Sequence, residues 1–569
     1  MPTIPLRWFA LASITAGAAA LRLVDLGAVR LDPFYDAAVR SMGSSWHNFF
    51  FGAYEPGGSV SIDKPPVDLW LQVASVKLLG WSSTSLKLPE ALAGTVSVPL
   101  LYGAVKRPFG TVAGLVAALA LAVLPIEVIT ARSDTMDAVM MMLLVLALLL
   151  LVRACSPIGD HVISDQPGRT AWLLAAAVAL GVAFNVKLFE SLVALPGLFV
   201  LACLGMPRAA GGSRSARRGR LAWQLTAASA VYVVVALSWL GATLLVPAHE
   251  RPYAIGSTNG SAWNAAFVFN GTERLTGKAV EVGQVTSGTR RNGSAGGGGR
   301  HGTQPITRPS PTRLLARSGQ LPARWLGWEA LAALLLGMTV VVSVARRGTA
   351  RVQRATATGL FVWLLTGIVL FSAMARLHPR YLESFTPAVA GMLGIGVGRV
   401  ACARSRARLL AVPLTALLAI PLVASIEAVG EETSDAGNVG ALSGEEQHAT
   451  STYLRAHQDG ARYEVAAGAA TNIASLIVQD ARPVVMLTTY NGLPLTSVAQ
   501  LKALISRGEV RYAFLDSVCK PGAPRTTAGC APAALWVRAH GTDVSLEAGL
   551  RVHGILWRLP LMASGGLGR

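Results

Sequence analysis

The stretch Ser61-Ile62-Asp63-Lys64-Pro65-Pro66-Val67-Asp68-Leu69-Trp70 sets acids, a base and a proline-stiffened turn side by side in a chain that is otherwise apolar. A positioned carboxylate can take a proton from a hydroxyl, and a lysine can hold a phosphate. Charges adjoining bilayer-spanning helices are costly unless solvated or used, so acids and bases gathered on one face mark a site. More of them recur along the chain. Asp32, Tyr35, Asp36, Arg40, His47 and Glu55 precede the stretch, and Ala131-Arg132-Ser133-Asp134-Thr135-Met136-Asp137 adds three charges. Lys187 and Glu190 come next, and His378, Arg380, Tyr381 and Glu383 close the series. Each has a plainer reading: Asp137 at a helix start would cap free backbone N–H groups, and Asp63 beside Lys64 would be a surface ion pair. Acids and cations recurring in four separate segments exceed what caps require. Together they suit a lipid-linked anionic substrate, with cations on its phosphate and a carboxylate as general base.

The elements that must position these groups follow from composition. Over 569 residues the chain is 52% hydrophobic and 14% charged, with a mean hydropathy of +0.48, which excludes a soluble globular protein and predicts a polytopic membrane protein. Apolar segments at roughly 8–28, 86–105, 111–131, 137–152, 171–187, 189–205, 222–246, 325–345, 357–375, 381–398 and 409–428 predict about eleven spans, at about 20 residues each. The first reads as an uncleaved anchor. The run from Ala171 to Gly205, interrupted by Asn185, Lys187 and Glu190, reads as a tight helical pair. The net charge of +19, from 50 Lys and Arg against 31 Asp and Glu, does not point to nucleic acid. Lys106 and Arg107, Arg153 and Arg169, the set Arg208 to Arg220, the set Arg346 to Arg354 and the set Arg399 to Arg408 occupy alternate loops. The positive-inside rule makes those loops and the N-terminus cytoplasmic. The other loops, with everything after about residue 430, then lie outside. Cys155, Cys203 and Cys402 fall at cytoplasmic helix ends, whereas Cys519 and Cys530 fall outside, where they can pair.

Two domains are expected: a membrane domain over 1–429 and an extracytoplasmic tail over 430–569. In the tail Arg462–Val465, Pro483–Leu487 and Arg511–Leu515 read as short strands, with helical patterns at Asn472–Gln479 and Ser497–Ser506 between them, which predicts a small α/β sheet. Trp46-His47-Asn48-Phe49-Phe50-Phe51 reads as an interfacial helix. The loop from about 247 to 324 becomes glycine-dense between Gly293 and Arg300 and reads as a linker rather than a lid.

Tyr35-Asp36-Ala37-Ala38-Val39-Arg40-Ser41-Met42, Asp63-Lys64-Pro65-Pro66, Leu88-Pro89-Glu90-Ala91-Leu92-Ala93-Gly94, the Asp137 turn, Asn185-Val186-Lys187 and His378-Pro379-Arg380-Tyr381, in that order, resemble the bacterial branch of the glycosyltransferase family that includes protein O-mannosyltransferases and aminoarabinose transferases. The resemblance spans about residues 8–428 and implies a GT-C enzyme of the cell membrane that uses a polyprenyl-phosphate sugar. It implies an acid of the first outer loop as base or acceptor-orienting group, which here is Asp32, since Leu31 stands where a first acid is expected. Asp36 and Asp63 remain alternatives. It further implies that Asp137 positions acceptor or cations and that Lys64 and Lys187 hold the lipid phosphate, with Arg132, His378, Arg380 and Tyr381 as helpers.

The reaction expected is transfer of a hexose-like sugar, mannose or a relative, to an extracytoplasmic protein, glycan or lipid, with inversion at the anomeric carbon. The donor is already activated, so no nucleotide loop is required, and no Walker or Rossmann pattern occurs. No cofactor is assigned, and a divalent cation stays an option. The alternative is a transporter or flippase of a lipid-linked or anionic solute, which would carry mid-membrane charges and repeated halves.

Overall fold

The computed structural model describes residues 6–156, 166–207, 214–276, 309–315, 326–346, 349–375, 377–403, 406–437, 440–469, 472–489, 492–515, 519 and 528–561. The glycine-dense stretch Gly293–Arg300, and Arg208, Arg347 and Arg404, lie outside the described residues. In chain order the first helices are α1 (Leu6–Leu23), α2 (Pro33–Met42), α3 (Trp46–Phe51), α4 (Val67–Leu79), α5 (Ser83–Phe109), α6 (Thr111–Val123), α7 (Pro125–Ala131), α8 (Asp137–Cys155), α9 (Gln166–Lys187), α10 (Leu195–Gly205) and α11 (Arg214–Leu244). The strands are β1 (Val60–Ser61), β2 (Tyr253–Ala254), β3 (Ala466–Ala469), β4 (Val485–Thr488), β5 (Tyr512–Phe514), β6 (Thr542–Asp543) and β7 (Leu556–Arg558).

Among the described residues seven helical stretches are long and apolar enough to cross a bilayer, or eight if α6 and α7, bent by 58° at their junction, are one span. The eleven expected spans are not reached by this measure, for identifiable reasons. The first helix carries Arg7 and Arg22 in its 18 residues. The expected pair within Ala171–Gly205 becomes α9, a 3₁₀ turn over Leu188–Val193 and an α10 of only 11 residues. The helix Trp328–Val344 stops at 17.

The chain divides into two compact units. One, the bundle, comprises Met1–Arg30, Leu79–Trp239 and Ile306–Asp435. Here α8 packs on α5 and α9, and the helix Thr386–Ala401 packs on α6. Small residues set that second approach: a Cβ at Gly394 would stand 2.5 Å from the Ala113 carbonyl oxygen, the close backbone contact that membrane helices use when lipid supplies no hydrophobic drive. The α6–α7 bend follows from Pro125, which has no N–H for the Leu121 carbonyl. Arg22 fills the gap, donating to the carbonyls of Ala122 at 3.1 Å and Leu121 at 3.4 Å, and Ser425 serves Val123 at 2.9 Å.

The second unit comprises Leu31–Leu78, Leu240–Pro305 and Ala436–Arg569. It cuts across the expected boundary at 429/430, because the tail packs with two loops rather than by itself. Its sheet has the order β4-β3-β5-β7-β6, parallel at β3–β4 and β3–β5 and antiparallel at β7. The expected helices form at Ala474–Asp480 and Val498–Ser506. The first expected strand, Arg462–Val465, forms four residues later as Ala466-Ala467-Gly468-Ala469. Being central and packed on both sides, it needs small residues, and these give little apolar signal. A two-stranded parallel pair, β1 with β2, anchors the first loop, α3 forms as expected, and α2 packs on Ala474–Asp480. Cys519 and Cys530 are joined in a disulfide, while Cys155, Cys203 and Cys402 are free.

Candidate active site

In the bundle the site begins with two unusual backbone positions. Met136 has φ 71° and Leu188 has φ 47°, left-handed conformations that cost a non-glycine residue about 1–3 kcal/mol and persist where the surroundings over-determine them. Met136 immediately precedes Asp137, and Leu188 immediately follows Lys187. Those two side chains form an ion pair buried to 1% or less. Lys187 also donates to the Thr135 carbonyl at 3.4 Å, and the Thr135 hydroxyl donates to the second Asp137 oxygen at 3.0 Å.

Asp137 is not the cap of its own helix. Glu90 of α5 takes that task across the bundle, its Oε2 accepting the amides of Ala138 at 2.6 Å and Val139 at 3.1 Å, so the helix end is satisfied from outside and the Asp137 carboxylate is left for the lysine. Around this pair, Arg380 lies 3.8 Å from Asp435, which also accepts from Thr135 at 3.2 Å. Lys187 stands 5.8 Å from the Tyr381 ring, against which His378 packs at 4.8 Å. Glu127 and Glu383 are both fully buried; Glu127 accepts from Thr386. Arg132 behaves differently. Its guanidinium donates to the carbonyls of Leu21 at 3.2 Å and Val24 at 2.5 Å, so it caps α1.

In the second unit Asp32 is the N-cap of α2. One carboxylate oxygen accepts the Phe34 amide at 3.1 Å and the other accepts the Gly437 amide at 2.8 Å. Asp63 accepts from Lys64 with both oxygens, at 2.9 and 3.0 Å. The lysine is also 3.5 Å from the Tyr35 hydroxyl, and Asn270 donates to the Asp63 carbonyl at 2.7 Å. Burial pushes the Asp63 carboxyl up, but the charges of Lys64 and Arg274 and the lysine hydrogen bond outweigh it and hold the group below the usual carboxylate range. Asp63 is therefore held as an anion beside its cations.

Asp137, Lys187, Arg380 and Tyr381 thus share a cluster in the bundle, whereas Asp32, Asp63 and Lys64 belong to the second unit. Sequence reading missed Asn270, Arg274 and Asp435. The first two lie in a π-helix over Ala265–Thr272 and the turn after it, a rare element frequent at functional sites, and their spacing of four was the available signal. Among the described residues no group of three His, Cys, Asp or Glu is arranged to hold a metal ion.

Residues 63–239 match the family described as dolichyl-phosphate-mannose-protein mannosyltransferase. Residues 450–540 match the family described as "Putative mannosyltransferase YkcB-like, C-terminal". The chain is 26% identical to "Putative mannosyltransferase YycA" of Bacillus subtilis (strain 168) over 90% of its own length and 91% of that protein. It is 35% identical to "Putative mannosyltransferase YkcB" of the same organism over 45% of this chain and 33% of that one. In fold it is similar to ArnT from Cupriavidus metallidurans, solved bound to undecaprenyl phosphate, with a TM-score of 0.56 at 17% identity over 90% of this chain and 93% of ArnT. It is also similar to the oligosaccharyltransferase AglB from Archaeoglobus fulgidus, solved with an inhibitory peptide and a dolichol-phosphate, with a TM-score of 0.52 at 12% identity over 90% of this chain and 69% of AglB.

Proposed function

We propose that the chain, a membrane glycosyltransferase of the GT-C fold, moves a hexose such as mannose from a polyprenyl phosphate to an acceptor outside the cytoplasm, with inversion. The observation that carries this reading is the buried Asp63–Lys64 pair with Arg274 close by: two cations beside one anion are a grip for the phosphate that links lipid and sugar. The undecaprenyl phosphate seen with ArnT and the mannosyltransferase relatives support donor and sugar class.

In the reaction the acceptor oxygen bonds to the anomeric carbon as the bond from that carbon to the phosphate oxygen breaks. The hydroxyl proton goes to a carboxylate, and the lipid phosphate leaves as an anion stabilised by Lys64 and Arg274. We assign the proton to Asp32. Asp63 and Asp137 are both bonded to lysines, which makes them poor acceptors; two backbone amides orient the Asp32 carboxylate. The Asp137–Lys187 pair, with Arg380, Tyr381 and His378, forms a charged cluster within the bundle. Transport is disfavoured by the absence of any evident internal repeat in the sequence.

The tail is proposed to lie outside the cytoplasm and the N-terminus inside. The disulfide Cys519–Cys530 supports this orientation, as does the alternation of basic loops. Purified full-length protein in lipid, given candidate polyprenyl-phosphate sugars, should release free lipid phosphate, and Lys64→Ala should raise the donor KM. Release undiminished in Asp32→Asn and Lys64→Ala alike would remove the assignment.

A further inference from the structure

Glu55 is fully buried in the turn that joins α3 to β1, and its carboxylate is crowded with backbone donors. Oε2 accepts the amides of Gly57 at 2.6 Å and Val484 at 3.3 Å, and Oε1 accepts the Ser59 amide at 2.5 Å. Among the described residues no cation pairs with it. Burying a carboxylate is costly unless its hydrogen bonds are made. Three amides on one side chain therefore mark a built feature.

What the feature organises is the approach to Asp63 and Lys64. The turn closes through Gly58 N–H to Glu55 O at 3.0 Å, Tyr54 N–H to Val60 O at 2.9 Å and Ile62 N–H to Gly52 O at 2.9 Å. Asp63 and Lys64 follow directly, beyond β1. Val484 lies at the head of β4, 429 residues further along the chain. Within this unit the Glu55 carboxylate is thus a tie between the tail and the loop that presents Lys64. Gly57 gives a second, independent sign of the same constraint. A Cβ there would stand 2.8 Å from Glu55 Oε2 and 3.3 Å from Pro483 Cβ, so an alanine would push the carboxylate off its amides.

We propose that Glu55 is a positioning residue through which the tail fixes Lys64 for the lipid phosphate; the inference rests on the reading of Lys64 as the phosphate grip. Glu55 acts through Lys64, its effect reaching the donor by way of β1.

The test uses the full-length chain in lipid nanodiscs, with undecaprenyl phosphate as the probe. Binding is measured alongside hydrogen exchange of residues 60–66, for Glu55→Ala, Glu55→Gln, Gly57→Ala, Lys64→Ala and the Glu55→Ala/Lys64→Ala double. Glu55→Ala and Gly57→Ala should weaken binding about tenfold, on the scale by which small misplacements act. They should speed exchange across 60–66 and raise the donor KM more than they lower kcat. Glu55→Gln, which keeps one acceptor oxygen, should fall between. The double variant should bind no more weakly than Lys64→Ala alone. Unchanged binding in Glu55→Ala and Gly57→Ala with exchange faster only at 57, 59 and 484, or losses that add in the double, would overturn the proposal. If Lys64→Ala itself binds as wild type, the phosphate reading falls, and exchange at 60–66 still decides the tie: unchanged rates overturn it and faster rates uphold it. Unaltered exchange in β3 and β5 marks variants that remain folded.

Discussion

In the bundle, buried acids answer to side chains: Asp137 to Lys187, Asp435 to Arg380 and Glu127 to Thr386. In the loop-and-tail unit, Asp32 and Glu55 answer to backbone amides. Glu90 departs from this in the bundle, lying on the amides of α8, and Asp63 on Lys64, Asp68 on Gln72 and Asp480 on Ser451 and Arg455 depart from it in the second unit. The difference is physical. A lysine neutralises a carboxylate and is immobilised by it, so the pair stands as a fixed dipole. Amides orient a carboxylate and leave its charge in place. Asp137 and Asp435 of the bundle hold cations, and Asp32 and Glu55 of the second unit are aimed by amides.

The largest test of that contrast is Asp32→Asn. If the amide-held anion is the base, kcat falls by about 10²–10⁴-fold while the thermal midpoint of the protein moves little; a large loss of stability with turnover per folded molecule intact would make Asp32 a cap only. Asp137→Asn comes next. It strands Lys187 in a dry site, and breaking a buried pair costs about 3–5 kcal/mol, read as a lowered unfolding midpoint. The double Asp137→Asn/Lys187→Met should recover much of it, and if it does not, the pair is more than a counter-charge. Arg22→Met should cost about 1–3 kcal/mol, the desolvation penalty of the carbonyls it leaves bare at the α6–α7 bend, measured the same way.

The smallest effect is a pH dependence in the tail. Glu464 is pushed well above the usual carboxylate range by burial, then by its hydrogen bond and charge contact with Asp480, against Arg482 and Arg455. Burial would raise Asp480 too, but bonds from Glu464, Ser451 and Arg455 hold it below that range. The two contribute stability over opposite windows. For Glu464 it is present below the unfolded value of about 4.3 and lost as pH rises through the raised folded value; for Asp480 it is present above about 3.9 and lost as pH falls through the lowered one. Glu464→Gln should abolish the loss on the alkaline side while leaving the acid side, as followed by hydrogen exchange in the tail across pH.

Much of this was legible in the sequence. Asp137 opens its helix, Lys187 ends the helical run that Glu190 interrupts, and the Asp63-Lys64-Pro65-Pro66 loop is as compact as its prolines suggest. Three kinds of information were not legible. The span count is not confirmed where charges such as Arg22 enter a helix or where a helix stops at 11 residues, because a hydropathy window sees neither a proline break nor a 3₁₀ turn. The partner of an acid is tertiary: nothing near Asp137 says that Glu90 caps its helix, and nothing near Asp32 names Gly437. Strand β3, built of alanine and glycine, carries no bulk to reveal it, and β6 and β7 are too short to show an alternation.

The bond from Gly437 to Asp32 joins residues 405 positions apart, and this has a consequence for biosynthesis. At roughly 5–20 residues per second, about 20–80 s separate the emergence of Asp32 from that of the amide that orients it. Through that interval the nascent first loop waits incomplete beside the translocation machinery, and its own acids and aromatics are open to wrong partners. A ribosome stalled or a message truncated before residue 436 would thus leave an inserted bundle whose first loop never meets its tail.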